Sequence, residues 1–294
     1  MNNRMKDFQE QNLPKFEKKI ASFLGSLEAE KTLKDAMSYS VEIGGKRIRP
    51  LMIMAICNFF ERPVDDDVLV IAGSLELLHT YSLIHDDLPE MDNDNLRRGK
   101  PTNHKVYGQA HAVLAGDGLL TLSFDWITRT NLGDKAKLDL ISFLGKAAGP
   151  EGMVSGQVAD IEGEQKILTL EQLQRVHARK TGALLKYACQ AGSILSNVNE
   201  REFNLLVSFG SLFGLAFQIY DDILDVVSTT EKMGKKVHKD QSENKNTYPG
   251  ILGLEGAYKM LDEVIGKARN ELIRLDAVDS ILGDFLGYFE RKGN

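Results

Sequence analysis

Two clusters of aspartate stand out for the chemistry they could do in this 294-residue chain. The first reads Asp86-Asp87-Leu88-Pro89-Glu90-Met91-Asp92-Asn93-Asp94, after an apolar stretch whose one charged spacer is Glu76. The second, Asp221-Asp222-Ile223-Leu224-Asp225, follows the uncharged stretch 203–220 and puts Asp221 and Asp225 one helical turn apart. Carboxylates this dense repel one another and are costly to bury unless paired with cations or metal. A solvated acidic turn is the alternative for the first cluster taken alone. A calcium loop is excluded, because counting from Asp92 puts Asn103 where a bidentate acid is needed. Oxygen donors without His or Cys select Mg²⁺ or Mn²⁺ over zinc, and magnesium held by few carboxylates completes its shell with water and phosphate oxygens. Acids at the end of a helix also face its negative dipole, so a second cluster lying within one turn of the helix end would again call for a cation.

The basic residues name the anion. Gly44-Gly45-Lys46-Arg47-Ile48-Arg49-Pro50 places three cations after a glycine turn, Arg97-Arg98 follows the first acidic cluster, and Lys180, Lys235 and Lys245 punctuate the second half. Arg suits bidentate phosphate contact and Lys supplies a compact charge. GxxxxGK[ST], GxGxxG and HExxH are all absent, so phosphates would be held through metals and side chains rather than a nucleotide loop. Acidic clusters on apolar helices, with cations nearby, point to a diphosphate ester with a greasy organic part. Ionising an allylic diphosphate needs its leaving group neutralised and the resulting carbocation stabilised electrostatically.

These residues need a scaffold, and the periodicity predicts an all-α one. Apolar residues recur at helical spacing, as in Val68, Ile71, Leu75 and Leu78 or Leu205, Phe209, Leu212, Phe213 and Ala216, while sustained strand alternation is missing. Breaks at Gly44-Gly45, Arg62-Pro63, 89–101, Gly133, Gly149-Pro150, Gly163, 197–199, 232–249 and 276–279 leave around ten helices. Without linker or repeat, the expectation is one domain over 1–294. Lys and Arg total 36 against 42 Asp and Glu, a net charge of −6 that excludes a general nucleic-acid binder. Cys57 and Cys189 form no disulfide or zinc framework, which fits reduced thiols in the cytoplasm. The mixed-charge opening residues carry no export signal, and 203–220 reads as a buried helix rather than a membrane span because Asn204, Ser208, Ser211 and Gln218 interrupt it.

The motifs occur in the order found in the trans (E-type) isoprenyl diphosphate synthases, and the chain resembles the bacterial farnesyl diphosphate synthases among them. The resemblance runs over residues 41–250 and includes Arg97-Arg98-Gly99-Lys100-Pro101-Thr102, Lys180-Thr181-Gly182, Gln218 with Asp221-Asp222, and Lys245 with Thr247-Tyr248-Pro249. It implies a single helical bundle with a deep central cavity, the two Asp motifs facing each other across it. It also implies a homodimer and three magnesium ions when diphosphate is bound, with manganese able to substitute. Carried over by position, Asp86, Asp92 and Asp221 resemble the direct metal ligands, with Asp87 and Asp225 in support. Arg97, Lys180 and Lys235 resemble the cations on the allylic diphosphate. Lys46, Arg49, His79 and Arg98 resemble the metal-independent pocket for isopentenyl diphosphate, and Thr181 and Gln218 line the site near the developing cation. The substrates implied are isopentenyl, dimethylallyl and geranyl diphosphate, and the base is the departed diphosphate.

Each residue also has a plainer reading. His79 could be a structural histidine, Lys180 a solvated helix charge, and Gln218 a bond to a neighbouring helix. The remaining histidines read as structural or surface residues, the cysteines as core fillers. Tyr81 and Ser82 precede Asp86 by five and four residues. At 1.5 Å per residue the Tyr81 phenol stands roughly 6 to 8 Å along the helix from the diphosphate grip. A ten-carbon tail fits above it and further growth meets the ring. Together with the Leu88-Pro89 insertion, an aromatic residue at this place resembles synthases that stop at fifteen carbons; the alternatives are a core aromatic at Tyr81 and a twenty-carbon product. A terpene cyclase and a non-catalytic synthase subunit are the competing functions, disfavoured by the second Asp motif, the extra basic set and the intact aspartates. One departure is His238, where the resembling proteins commonly carry a second glycine.

Overall fold

The computed structural model describes residues 3–164, 166–233 and 246–290, with the side chains of 228–233 left aside. Lys235 and His238 lie outside the described residues. Two compact units are formed, one of Asn3–Ser142 with Ile194–Asn197 and one of Phe143–Ser193 with Val198–Asn294. The elements are α1 (Asn3–Gly25), α2 (Lys31–Glu42), α3 (Ile48–Phe59), α4 (Asp66–Asp86), β1 (Leu96–Arg97), β2 (Lys100–Pro101), α5 (Asn103–Tyr107) and α6 (Gln109–Thr128), then α7 (Asp134–Ala148) and α8 (Met153–Gly163). They continue with α9 (Leu170–His177), α10 (Ala183–Leu195), α11 (Glu200–Met233), α12 (Tyr248–Arg274) and α13 (Ile281–Asp284). The all-α expectation holds. The helices are more numerous than ten because short ones such as α5 and α13 carry too few turns to leave a periodic signal.

The first unit is organised around α4. Asp65 caps its start, accepting from the Val68 amide at 3.0 Å, and Asp66 and Asp67 complement the dipole in the first turn. From Val68 to Leu78 every residue is buried, so α4 is apolar all round and packs on α3, α6, α1 and α2. Its main contact, with α6, is close because Gly73 has no side chain: a Cβ there would lie 2.8 Å from Trp126 Cη2. The Trp126 ring cannot retreat, since it stacks on Phe23 of α1 at 4.0 Å. After α4 the chain turns back, with the Asp92 amide donating to the Asp86 carbonyl at 2.9 Å, into a two-strand hairpin. Positive φ at both Arg98 and Gly99 makes its tight turn, a conformation that favours Gly at the second place.

In the second unit α11 is the spine. It packs along α12, and its Phe213 meets Phe285 and Phe289 of the C-terminal segment at 5.9 and 5.0 Å. The helix runs on to Met233, where the break at 232–249 places its end, so Asp221, Asp222 and Asp225 lie well inside it rather than within one turn of the end. Ile223 and Asp222 are buried and keep that turn packed. The dipole argument for a cation at the second cluster therefore falls. Among the described residues, helices α4 and α11 are long and apolar enough to cross a membrane by composition, yet 78% of the α4 window is buried inside the protein.

Gly73→Ala should lower the stability of the fold by about 1–3 kcal/mol, because the added methyl overpacks against a pinned ring. Chemical denaturation with tryptophan fluorescence as the probe checks this; an unchanged midpoint would mean that α4 and α6 can separate freely.

Candidate active site

In the first unit the predicted residues gather at α4 and the two loops beside it. His79 is part-buried and accepts from Arg49 Nη1 at 3.3 Å through Nε2. Burial, then the charges of Arg49, Arg98, Arg97 and Arg47, holds its pKa well below the usual imidazole range, so it is neutral and can accept. Lys46 is exposed on the glycine loop and Arg98 on the hairpin turn. Arg47, counted with the other cations of its motif, is instead buried and held by Glu17 and Glu76 at 2.8 and 2.6 Å. One of the three cations after the glycine turn is therefore internal, a role that no local pattern announces.

The first Asp motif sits where α4 ends. Asp86 is half-buried and Asp92 exposed, linked through the backbone turn. Asp87 is buried and accepts from Arg97 three times, Nε to Oδ1 and Oδ2 at 3.0 and 2.9 Å and Nη2 to Oδ1 at 2.7 Å. This fork fixes the guanidinium plane, so Asp87 acts on Arg97. Burial pushes the Asp87 carboxyl up, against the pull of Arg97. Tyr81 is 8% exposed, its ring edge-on to His85 at 5.5 Å, and burial followed by the Asp86 charge raises its phenol pKa. Ser82 is part-buried, its hydroxyl donating to the His79 carbonyl of the preceding turn at 2.9 Å.

In the second unit Lys180 and Thr181 lie on a π-helical turn, Ala178–Gly182, of the wide type that recurs at functional positions. Helix α8 passes so close that a Cβ at Gly156 would meet the Lys180 backbone, and α8 supplies Asp160, which pairs with Lys180 Nζ at 2.5 Å. The Thr181 hydroxyl donates to Gln218 Oε1 at 3.0 Å, Gln218 Nε2 donates to Asp222 Oδ1 at 2.9 Å, and the Tyr248 amide donates to Asp222 Oδ2 at 3.1 Å. Burial pushes the Asp222 carboxyl up to about 6 against these bonds. Asp221 is half-buried and Asp225 exposed. A cavity of about 460 Å³ is lined by Asp160, His177, Lys180, Gln218, Asp222 and Thr247.

Asp160 and Asp222 were not singled out from sequence. For Asp222 a signal existed, since Gln218 lies one turn before it and the pair shares a helix face. For Asp160 there was none, because its partner is twenty residues away across two elements. Among the described residues no three acidic, His or Cys groups form a closed metal cage. Asp86 and Asp92 in the first unit, and Asp221 and Asp225 in the second, each offer hard carboxylate oxygens at partly or fully exposed positions, the donor type that magnesium takes while keeping sites for phosphate and water.

The match to the polyprenyl synthetase family model spans residues 30–281, taking in every described residue of this arrangement except Glu17. The chain belongs to that family. It is 50% identical over 261 residues to the farnesyl diphosphate synthase of Geobacillus stearothermophilus, covering 87% of each chain. To the farnesyl diphosphate synthase of Bacillus subtilis it is 46% identical over 273 residues, 92% of each. Its fold matches that of a geranyltransferase from Helicobacter pylori complexed with magnesium and isoprenyl diphosphate with a TM-score of 0.79, at 34% identity over 98% of this chain and 97% of the other.

His177 gives a pH prediction for this polyprenyl synthetase. It is buried against Tyr248 at 5.4 Å with no partner for Nδ1 among the described residues, and its pKa is lowered to about 4, by burial first. The folded protein thus binds fewer protons here than the unfolded chain, whose imidazole titrates near 6.5; the stability is present above that value and lost as the pH falls toward 4. By pH 4.5 the loss should reach about 2–3 kcal/mol. His177→Phe should remove that share of the acid sensitivity, read as the difference in denaturation midpoint between pH 7 and pH 4.5; equal pH dependence in both proteins contradicts it.

Proposed function

We propose that this chain joins isopentenyl diphosphate head-to-tail to dimethylallyl and then geranyl diphosphate, giving (2E,6E)-farnesyl diphosphate. The observation that carries this reading is that both core helices, α4 and α11, present carboxylates beside cation-bearing elements in a chain half identical to a farnesyl diphosphate synthase. The allylic C–O bond breaks with its electron pair leaving on diphosphate, the isopentenyl double bond attacks the allylic carbon, and a proton passes to the departed diphosphate.

Each step has residues suited to it. Arg97, presented flat by Asp87, and Lys180, shared with Asp160, carry the charge that holds the allylic diphosphate. Asp86 and Asp92 in the first unit, and Asp221 with Asp225 in the second, would each hold magnesium, whose positive charge would make diphosphate a good leaving group. Lys46, Arg49 and Arg98 take the isopentenyl diphosphate, with neutral His79 steering Arg49. Gln218, fixed by Thr181 and Asp222, lines the cavity beside Lys180, near where the cation would develop. Tyr81, buried before Asp86, closes the space for the hydrocarbon tail. One catalytic domain, three magnesium ions, a homodimer and a cytoplasmic enzyme belong to the same reading; sedimentation equilibrium tests the dimer.

Incubating the purified protein with isopentenyl diphosphate, dimethylallyl diphosphate and Mg²⁺ should give a fifteen-carbon product, and chelator should abolish it. A twenty-carbon product would overturn the role of Tyr81 while keeping the reaction, and no elongation would overturn the function. Asp86→Ala and Asp221→Ala should each cut turnover by about two orders of magnitude or more with the denaturation midpoint held, since each removes charge from the leaving-group site. Tyr81→Ala should move product chromatography toward twenty carbons; an unchanged spectrum removes the floor.

A further inference from the structure

Arg47 sits between two residues of the isopentenyl diphosphate pocket, Lys46 and Arg49, but is itself walled off. Its side chain is 2% exposed. Nη1 donates to Glu76 Oε1 at 2.6 Å, Nε and Nη2 donate to the two oxygens of Glu17 at 2.8 and 3.1 Å, and Nη2 donates to the Val41 carbonyl at 2.7 Å. Every side of the guanidinium is used, so no phosphate oxygen reaches it. Burial works against its charge, yet Glu76 and Glu17 more than offset that and raise its pKa. The backbone at Arg47 has φ +48°, a left-handed conformation unfavourable for a non-glycine residue. That strain persists because the side chain is anchored on α1, α2 and α4 at once.

The anchored residue fixes its neighbours. Lys46 precedes it, and Arg49 stands in the first turn of α3, which Arg47 leads into. Arg98, from the hairpin turn, lies against the same loop, its guanidinium so close over Gly45 that a Cβ there would fall 2.6 Å from Cζ. Glu76 and His79 are three apart on α4, hence on one face, and they hold Arg47 and Arg49 respectively. One helix face thus sets both the loop and the phosphate-binding arginine.

We infer that Glu76 is a positioning residue for isopentenyl diphosphate, acting through Arg47, with Glu17 as the second hold on the same guanidinium. This rests on the reading of Lys46, Arg49 and Arg98 as that substrate's pocket. Neither glutamate touches substrate; each fixes the loop that presents the pocket's cations.

The test is steady-state kinetics on the purified enzyme, varying isopentenyl and geranyl diphosphate separately, with denaturation midpoints for each variant. Arg49→Met is the control for the pocket and should raise the KM for isopentenyl diphosphate about tenfold or more. Glu17→Gln, whose carboxylate is 43% exposed and so removable without unfolding, should raise that KM about three- to tenfold with the geranyl diphosphate KM and kcat within about twofold. Glu76→Gln should act in the same direction and further, and Glu76→Asp should restore part of the loss. If Glu76→Gln does not fold, Glu17→Gln decides alone. A shift with Arg49→Met and none with Glu17→Gln, or equal shifts in both KM values, overturns the positioning role. No shift with Arg49→Met shows instead that the pocket itself is misassigned, and the inference falls with it.

Discussion

Helix α4 is buried around its whole circumference, and each polar group it carries must therefore find a partner or face open solvent. That constraint arranges most of the first unit. Glu76 is deep enough that an unpaired carboxylate would cost several kcal/mol, so it draws Arg47 inward. His79 stays neutral under burial and the surrounding guanidiniums and accepts from Arg49. Asp87, at the end of the helix but still buried, takes Arg97. Three arginines from two different loops are thus oriented by one helix, and the loops follow their side chains.

The second unit solves the same problem with neutral groups. On α11 the buried Asp222 is matched by an amide from Gln218 and the backbone of Tyr248, with Thr181 completing the chain. Among the described residues no full cation pairs with Asp222 there, and Lys180 has the single partner Asp160, both of them partly exposed. A lysine held by one carboxylate can exchange it for a phosphate at little cost, because both states keep a charge-assisted bond. Arg47, ringed by two carboxylates and a carbonyl, could not exchange in that way.

Much of this was legible in the residues, and the limits are physical. The apolar periodicity of α4 and α11 is strong because both are core helices, and the Asp clusters at 86–94 and 221–225 are visible as charges where apolar helices would not tolerate them. Helix α11 carries its acidic cluster well inside it because polarity alone does not stop a helix; Ile223 is buried and Gln218 and Asp222 bond along the helix axis. The division of labour within Gly44-Gly45-Lys46-Arg47-Ile48-Arg49 was invisible. Lys and Arg residues side by side differ only in which carboxylates the fold brings to them, and Glu17, Glu76 and Asp160 come from elements 20 to 30 residues away. Periodicity reports which face is buried, not which buried charge meets which.

The order of charges along α4 carries a consequence for how two diphosphates are told apart. His79, with the arginines it faces, and Asp86, at the carboxylate end, are seven residues apart on one rigid helix, about 10 Å along the axis. A diphosphate without metal is drawn to the guanidiniums and repelled by the carboxylates of the Asp motif. A diphosphate carrying magnesium is drawn to the carboxylates and gains less from the arginines, because its charge is already reduced. On the proposed assignment, the sign of the protein's charge would sort the leaving group from the nucleophile's anion. Such sorting would work only while the guanidiniums of Arg49 and Arg98 keep their places, and Glu76 and His79, polar residues that burial of α4 obliges to find partners, hold the loop and Arg49.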